Sequence, residues 1–162
     1  MKTRPIQIPS DVHDHVQNIV NQFRARGYRC YLVGGSVRDL LLGHVVYDYD
    51  FATDAHPEIV MRMFRRVVPT GIKHGTVSVL MGDDSTYEIT TFRSDGKYID
   101  GRRPESVRFS ETLEEDVLRR DFTINGLAYD VTTDEVIDYV GGIDDIGRKL
   151  VRTIGNPMER FS

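Results

Sequence analysis

Residues 31–53, YLVGGSVRDLLLGHVVYDYDFAT, carry the pattern around which the rest of the chain is arranged. The apolar run Tyr31-Leu32-Val33 reads as a strand and Gly34-Gly35 as a sharp turn. Ser36 to Leu42 then reads as a short helix, with Gly43 as its stop. Two glycines leave the turn free of Cβ atoms, and Ser36 falls where a helix offers unpaired N–H groups. Such a corner attracts phosphate, which makes Gly34, Gly35 and Ser36 candidate ligand contacts. Asp48-Tyr49-Asp50-Phe51 then returns as an extended segment. If it is extended, both carboxylates share one face, roughly 7 Å apart at about 3.3 Å per residue. Such a pair can supply oxygens to two divalent cations about 4 Å apart.

Twelve residues separate Gly35 from Asp48, which is room for two helical turns and a short loop back. The second strand can therefore lie beside the first, with the phosphate corner facing the acid pair. That arrangement suits in-line displacement at a nucleotide α-phosphate. Either half alone is also an ordinary feature, a turn before a helix or a solvated strand face; the spacing of the two together is what points to a site.

Composition sets the frame. The chain has 162 residues, 40% hydrophobic and 28% charged, enough for one domain with a true core. No apolar run reaches the length of a membrane span, and the start, MKTRPIQIPSD, has no apolar signal core, so a cytoplasmic location is expected. Cys30 stands alone and reads as a small buried filler. The five histidines form no zinc-ligand pattern. A net charge of −4 excludes a protein that coats nucleic acid indiscriminately, while leaving RNA open as a substrate through local clusters such as Arg62-Arg65-Arg66, Arg102-Arg103 and Arg119-Arg120.

Outward from the central stretch, Ser10 reads as the cap of an amphipathic helix with Val12, Val16, Ile19, Val20 and Phe23 on one face and Gly27 as its stop. Thr53 or His56 caps a second helix, with Pro57 in its first turn and Val60, Met63, Phe64 and Val67 as its buried stripe, ended by Pro69-Thr70-Gly71. Residues 76–81 and 87–92 read as a hairpin. Within it Glu88, an acid flanked by Tyr87 and Ile89, is a candidate third carboxylate or a structural ion-pair partner. Residues 94–104, SDGKYIDGRRP, read as a polar loop, and residues 106–109 as a short strand. Thr112-Leu113-Glu114-Glu115 is a capping box, and the helix it opens is expected to run through Arg119-Arg120-Asp121 and on, apolar-faced, to Tyr129. Arg120 can fork onto phosphate, and Asn125, one turn beyond Asp121, can reach a ribose hydroxyl or a phosphate. Residues 136–139 read as a last strand.

Taken together, LVGGSVRDLLLG, DYDFAT, TGIKHGTVSVLMG with YEITTFR, DGKYIDGRRP and EEDVLRRDFTINGLAYD resemble, in order, the head domain of class II tRNA nucleotidyltransferases (CCA-adding enzymes) and bacterial poly(A) polymerases, within the polymerase beta-like nucleotidyltransferase superfamily. The resemblance implies an α/β head with a small mixed sheet flanked by helices. It implies that Asp48 and Asp50 hold two Mg²⁺ and that Gly35, Arg38 and Arg120 contact the incoming CTP or ATP. Asp121 and Asn125 fall on the same motif, serving the ribose or the local architecture, and Glu88 lies where the superfamily places its third acid. The implied reaction is CMP or AMP addition to the 3′ end of tRNA. The 94–104 loop favours CCA or A addition over poly(A) synthesis.

The resemblance also divides the chain into a head over residues 1–150 and the opening of a neck over residues 151–162, with the neck, body and tail that would read the base and hold tRNA absent from the sequence. Two other classes stay open at this point: a glycosyltransferase using a single metal on its D-x-D, and a catalytically silent nucleotide-binding module. Oligomeric state is not legible.

Overall fold

The computed structural model describes residues 6–46, 48–82, 85–94, 108–120 and 122–154. Its centre is a seven-stranded mixed sheet in the order β3-β4-β5-β2-β1-β8-β9. The strands are β1 (Cys30–Val33), β2 (Asp50–Thr53), β3 (Val67–Gly71), β4 (Thr76–Leu80), β5 (Thr86–Thr91), β8 (Leu127–Asp130) and β9 (Glu135–Asp138). Neighbours are antiparallel except β2 and β5, which run parallel. A two-stranded ribbon, β6 (Arg93–Ser94) with β7 (Arg108–Phe109), stands beside it.

Alternation in β1, β2 and β5 assigns the two faces. Leu32, Phe51, Val77, Val79, Tyr87 and Ile89 point to one, where α1 (Ser10–Ala25) buries Val16, Ile19, Val20 and Phe23 and α3 (Pro57–Met63) buries Val60 and Met63. Val33, Ala52, Phe92 and Ala128 form a smaller core with Leu113 and Val117 of α4 (Leu113–Leu118). Cys30 belongs to the first core, and burial pushes its thiol well above the ordinary value, so it is the inert filler expected.

The central reading is realised. The helix α2 (Gly35–Leu42) follows β1 after Gly34, whose φ of 72° suits glycine, and it ends at Gly43 in the left-handed conformation. Boundaries shift elsewhere. Pro9, not Ser10, is the N-cap of α1; its carbonyl accepts from the Val12 and His13 amides, and no side chain caps the helix. His56 caps α3. The Thr53 hydroxyl instead donates to the Arg29 carbonyl at 2.5 Å.

Three expectations about element type are corrected. The helix α3 stops at Met63, and Val67, expected on its buried stripe, opens the edge strand β3 (Val67–Gly71) paired with β4. Pro69 is tolerated there because an edge strand has one unpaired side. Residues 122–129 do not continue the α4 helix. After Leu118 comes a 3₁₀ turn at Thr123–Asn125, and Leu127 enters the sheet as β8. Leu127, Ala128 and Tyr129 are all buried, so the run has no strand alternation and its apolar pattern fits a helix equally well. Finally, Ser94, expected in a loop, ends β6; the rest of the 94–104 loop lies outside the described residues.

Only half of the capping box on α4 forms: the Thr112 hydroxyl caps the Glu115 amide at 3.3 Å, but the Thr112 backbone N–H donates to the Ser110 hydroxyl at 3.1 Å, and the Glu115 carboxylate accepts from the Thr112 hydroxyl at 3.2 Å instead. The last helix, α5 (Gly142–Gly147), is tied to the 3₁₀ turn by a bond from the Thr123 hydroxyl to buried Asp145. No helix among the described residues is long and apolar enough to cross a membrane.

Candidate active site

Strand register brings the two halves of the central stretch together. Val33 pairs with Asp50 across β1 and β2, and Asp50 pairs with Glu88 across β2 and β5. Directly opposed residues point to the same face. The last residue of β1, the first of β2 and an acid of β5 therefore form one row, and the glycine corner begins one residue beyond it. The corner is anchored from the other side by a bond from the Gly34 amide to the Leu127 carbonyl of β8, 3.1 Å long.

Two guanidinium groups close on the glycines. A methyl at Gly34 would stand 3.3 Å from Arg120 Nη1, and one at Gly35 would stand 3.2 Å from Arg38 Nη2. A side chain at either glycine would push its arginine back by a few tenths of an ångström. Arg38 is held in α2 by Asp39, through Nε at 3.0 Å and Nη2 at 3.3 Å, and by Asn125, whose Oδ1 accepts from Nη1 at 2.7 Å. Asn125 thus reaches the corner through Arg38, from a 3₁₀ turn and not from a helix. Arg120 donates to Asp116 at 3.0 Å, and its buried Nε has no hydrogen-bond partner among the described residues. Each arginine keeps further N–H donors for an anionic ligand.

Other predicted residues fall less simply. Asp48 precedes β2 and is exposed, whereas Asp50 is the strand's first residue and half-buried, so the acid pair straddles the start of β2. Ser36 is buried, and its hydroxyl donates back to the Val33 carbonyl at 2.7 Å, leaving only its backbone to face a ligand. Asp121 lies outside the described residues.

The electrostatics of the row are lopsided. Asp50 has its pKa raised from 3.8 to about 6, first by burial and then by Glu88, with a smaller push from Asp48; Arg120 alone pulls the other way. Both arginines are already shared with carboxylates of their own, Asp39 and Asp116, so the acids keep an uncompensated negative charge. Among the described residues no three His, Cys, Asp or Glu side chains converge into a closed metal cage. Mg²⁺ does not need one, since it binds through one or two carboxylates completed by water and substrate phosphates. An open pair of crowded acids beside a phosphate corner fits such a cation.

A sequence model described as the Poly A polymerase head domain matches residues 30–152, which span every residue of this site. The chain belongs to that family. The head domain is 50% identical over 143 residues to the CCA-adding enzyme of Enterococcus faecalis, covering 88% of this chain and 35% of the relative. It is 52% identical over 144 residues to the CCA-adding enzyme of Oceanobacillus iheyensis, covering 89% and 36%. Its fold superposes on the crystal structure of the Bacillus stearothermophilus CCA-adding enzyme in complex with CTP, with a TM-score of 0.82 at 44% identity, over 91% of this chain and 35% of that one. The chain spans about a third of the length of these relatives.

Two residues of the head domain escape a reading of the sequence. Asp39 and Asp116 are hydrogen-bonded to the arginines, and the only hints were adjacency in Arg38-Asp39 and an i, i+4 spacing in Asp116–Arg120, both of which usually mark solvated helix faces.

Proposed function

We propose that this chain is the catalytic head of an RNA nucleotidyltransferase of the CCA-adding type, which transfers CMP and AMP from CTP and ATP to the 3′ end of tRNA. The observation that carries the reading is the row Val33–Asp50–Glu88, which sets acids on one side of a glycine corner lined by Arg38 and Arg120. In the reaction the RNA 3′-oxygen bonds to the α-phosphorus, the bond from that phosphorus to the β-phosphate oxygen breaks, and the hydroxyl proton is lost as pyrophosphate leaves.

The roles follow from placement. The Gly34-Gly35 backbone, the N-terminus of α2, Arg38 and Arg120 hold the triphosphate and stabilise the departing pyrophosphate. Asn125 fixes Arg38; Asp121 belongs to the same motif. Asp48 and Asp50 are the carboxylates that would hold two Mg²⁺, with Glu88 as a third acid beside them. When bound, such cations lower the pKa of an attacking hydroxyl and neutralise phosphate charge.

We place the head at residues 1–150 and the opening of a neck at residues 151–162; the bridge from Phe122 to Thr153 ties the start of that stretch back to the head. A tRNA-processing role implies a cytoplasmic protein. The names of the relatives favour CCA addition over poly(A) synthesis. The test is incorporation of labelled CMP and AMP into tRNA lacking its 3′ CCA by the full-length protein. Addition by the wild type that is lost in Asp48→Ala and Asp50→Ala supports the reading, and undiminished addition by either variant refutes it.

A further inference from the structure

Behind the glycine corner lies a carboxylate with no part in the roles above. Asp116 in α4 is 1% exposed. Its Oδ2 accepts from Arg120 Nη2 at 3.0 Å, and its Oδ1 accepts from the Arg93 backbone N–H at 2.9 Å, with Arg119 Nε at 3.5 Å. An i, i+4 ion pair on a helix surface contributes little. Here the acid is buried, so its charge must be met where it sits, and Arg120 is not at liberty to swing away.

The guanidinium is a rigid plane. Anchoring Nη2 on Asp116 therefore fixes where Nη1 points, and Nη1 is the atom that stands 3.3 Å from the Cβ position of Gly34. Arg120 needs this anchor because it lies beyond the C-terminal end of α4, where its amide bond to the Val117 carbonyl is the backbone hydrogen bond found for it among the described residues.

We propose that Asp116 is the positioning residue that holds Arg120 at the triphosphate corner. This deepens the nucleotidyltransferase reading and rests on it.

The experiment measures binding of CTP and of inorganic triphosphate, in Mg²⁺, to the full-length protein and to Asp116→Asn. The variant keeps an acceptor for the Arg93 N–H and removes the charge that anchors Arg120. Both ligands are expected to weaken by the same factor, about tenfold, because the loss is at the phosphates. Arg120→Ala is expected to show the same loss, and the double variant no more than either single one. A purely structural role for Asp116 would lower stability, leave triphosphate affinity unchanged and make the two substitutions additive; either result overturns the assignment. If Asp116→Asn does not fold, Arg120→Lys serves in its place. Its ammonium can meet Asp116 but has no second arm for the corner, so the same tenfold loss is expected, and wild-type affinity would overturn the proposal. Failure of the wild-type protein to bind either ligand would instead refute the nucleotidyltransferase reading itself.

Discussion

Replacing Asp50 by Asn should make the metal-free protein more stable. Asp50 keeps its proton in the folded state up to about pH 6, whereas in the unfolded chain it releases it near 3.8. A carboxyl raised in this way contributes fully below the unfolded value, and the contribution is lost as pH rises through the folded one. Above pH 6 the folded protein therefore carries a charge it would be better without. At 1.36 kcal/mol per tenfold change in proton affinity, the rise from 3.8 to about 6 corresponds to roughly 3 kcal/mol. Water reaching a half-buried group reduces this to about 1–2 kcal/mol. The assay is urea denaturation of wild type and Asp50→Asn at pH 4.5 and pH 8, with and without Mg²⁺. At pH 8 without cation the variant should be about 1–2 kcal/mol more stable, with the gap closing toward pH 4.5. Added Mg²⁺ should stabilise the wild type and leave the variant unmoved. A variant less stable than wild type at pH 8, or one with the same pH dependence, would refute the idea that these acids are crowded in readiness for a cation.

Gly34→Ala meets both an unfavourable φ of 72° and the Arg120 guanidinium at 3.3 Å, so a loss of about 1–2 kcal/mol in urea denaturation and weaker CTP binding by calorimetry are expected together. Gly142→Ala probes the packing of α5 on the 3₁₀ turn: its methyl would lie 2.1 Å from the Thr123 carbonyl oxygen, and a loss of at least about 2 kcal/mol in thermal or urea unfolding should follow. Cation affinity should fall as pH drops through about 6, because the proton on Asp50 competes for the same oxygens; Mn²⁺ titrations at pH 5.5 and 7.5 will show whether it does.

What the sequence disclosed followed from local rules with strong signals. A strand, two glycines, a helix and a returning acid pair at fixed spacing left few ways to fold, and the Val33–Asp50 pairing is one that the spacing allowed. The amphipathic helices announced themselves by period, and Glu88 stood out as a charge between apolar strand neighbours. Residues 122–129 misled because a strand buried on both faces is apolar throughout, so its type is set by the neighbours β1 and β9 and not by its own pattern. The edge strand β3 hid behind Pro69. Asp39 and Asp116 were illegible for a different reason: whether an acid beside an arginine is solvated or buried depends on packing from elements far along the chain, such as β6 against α4.

The proposed chemistry requires cations held by Asp48 and Asp50 next to the Gly34–Arg38–Arg120 corner. Counting bound Mn²⁺ by electron paramagnetic resonance in the presence of CTP tests this most directly. Two ions per wild-type molecule, with at least one lost in Asp50→Asn, is the predicted result. An unchanged count in the variant, or no CTP-dependent Mn²⁺ binding in the wild type, would contradict it.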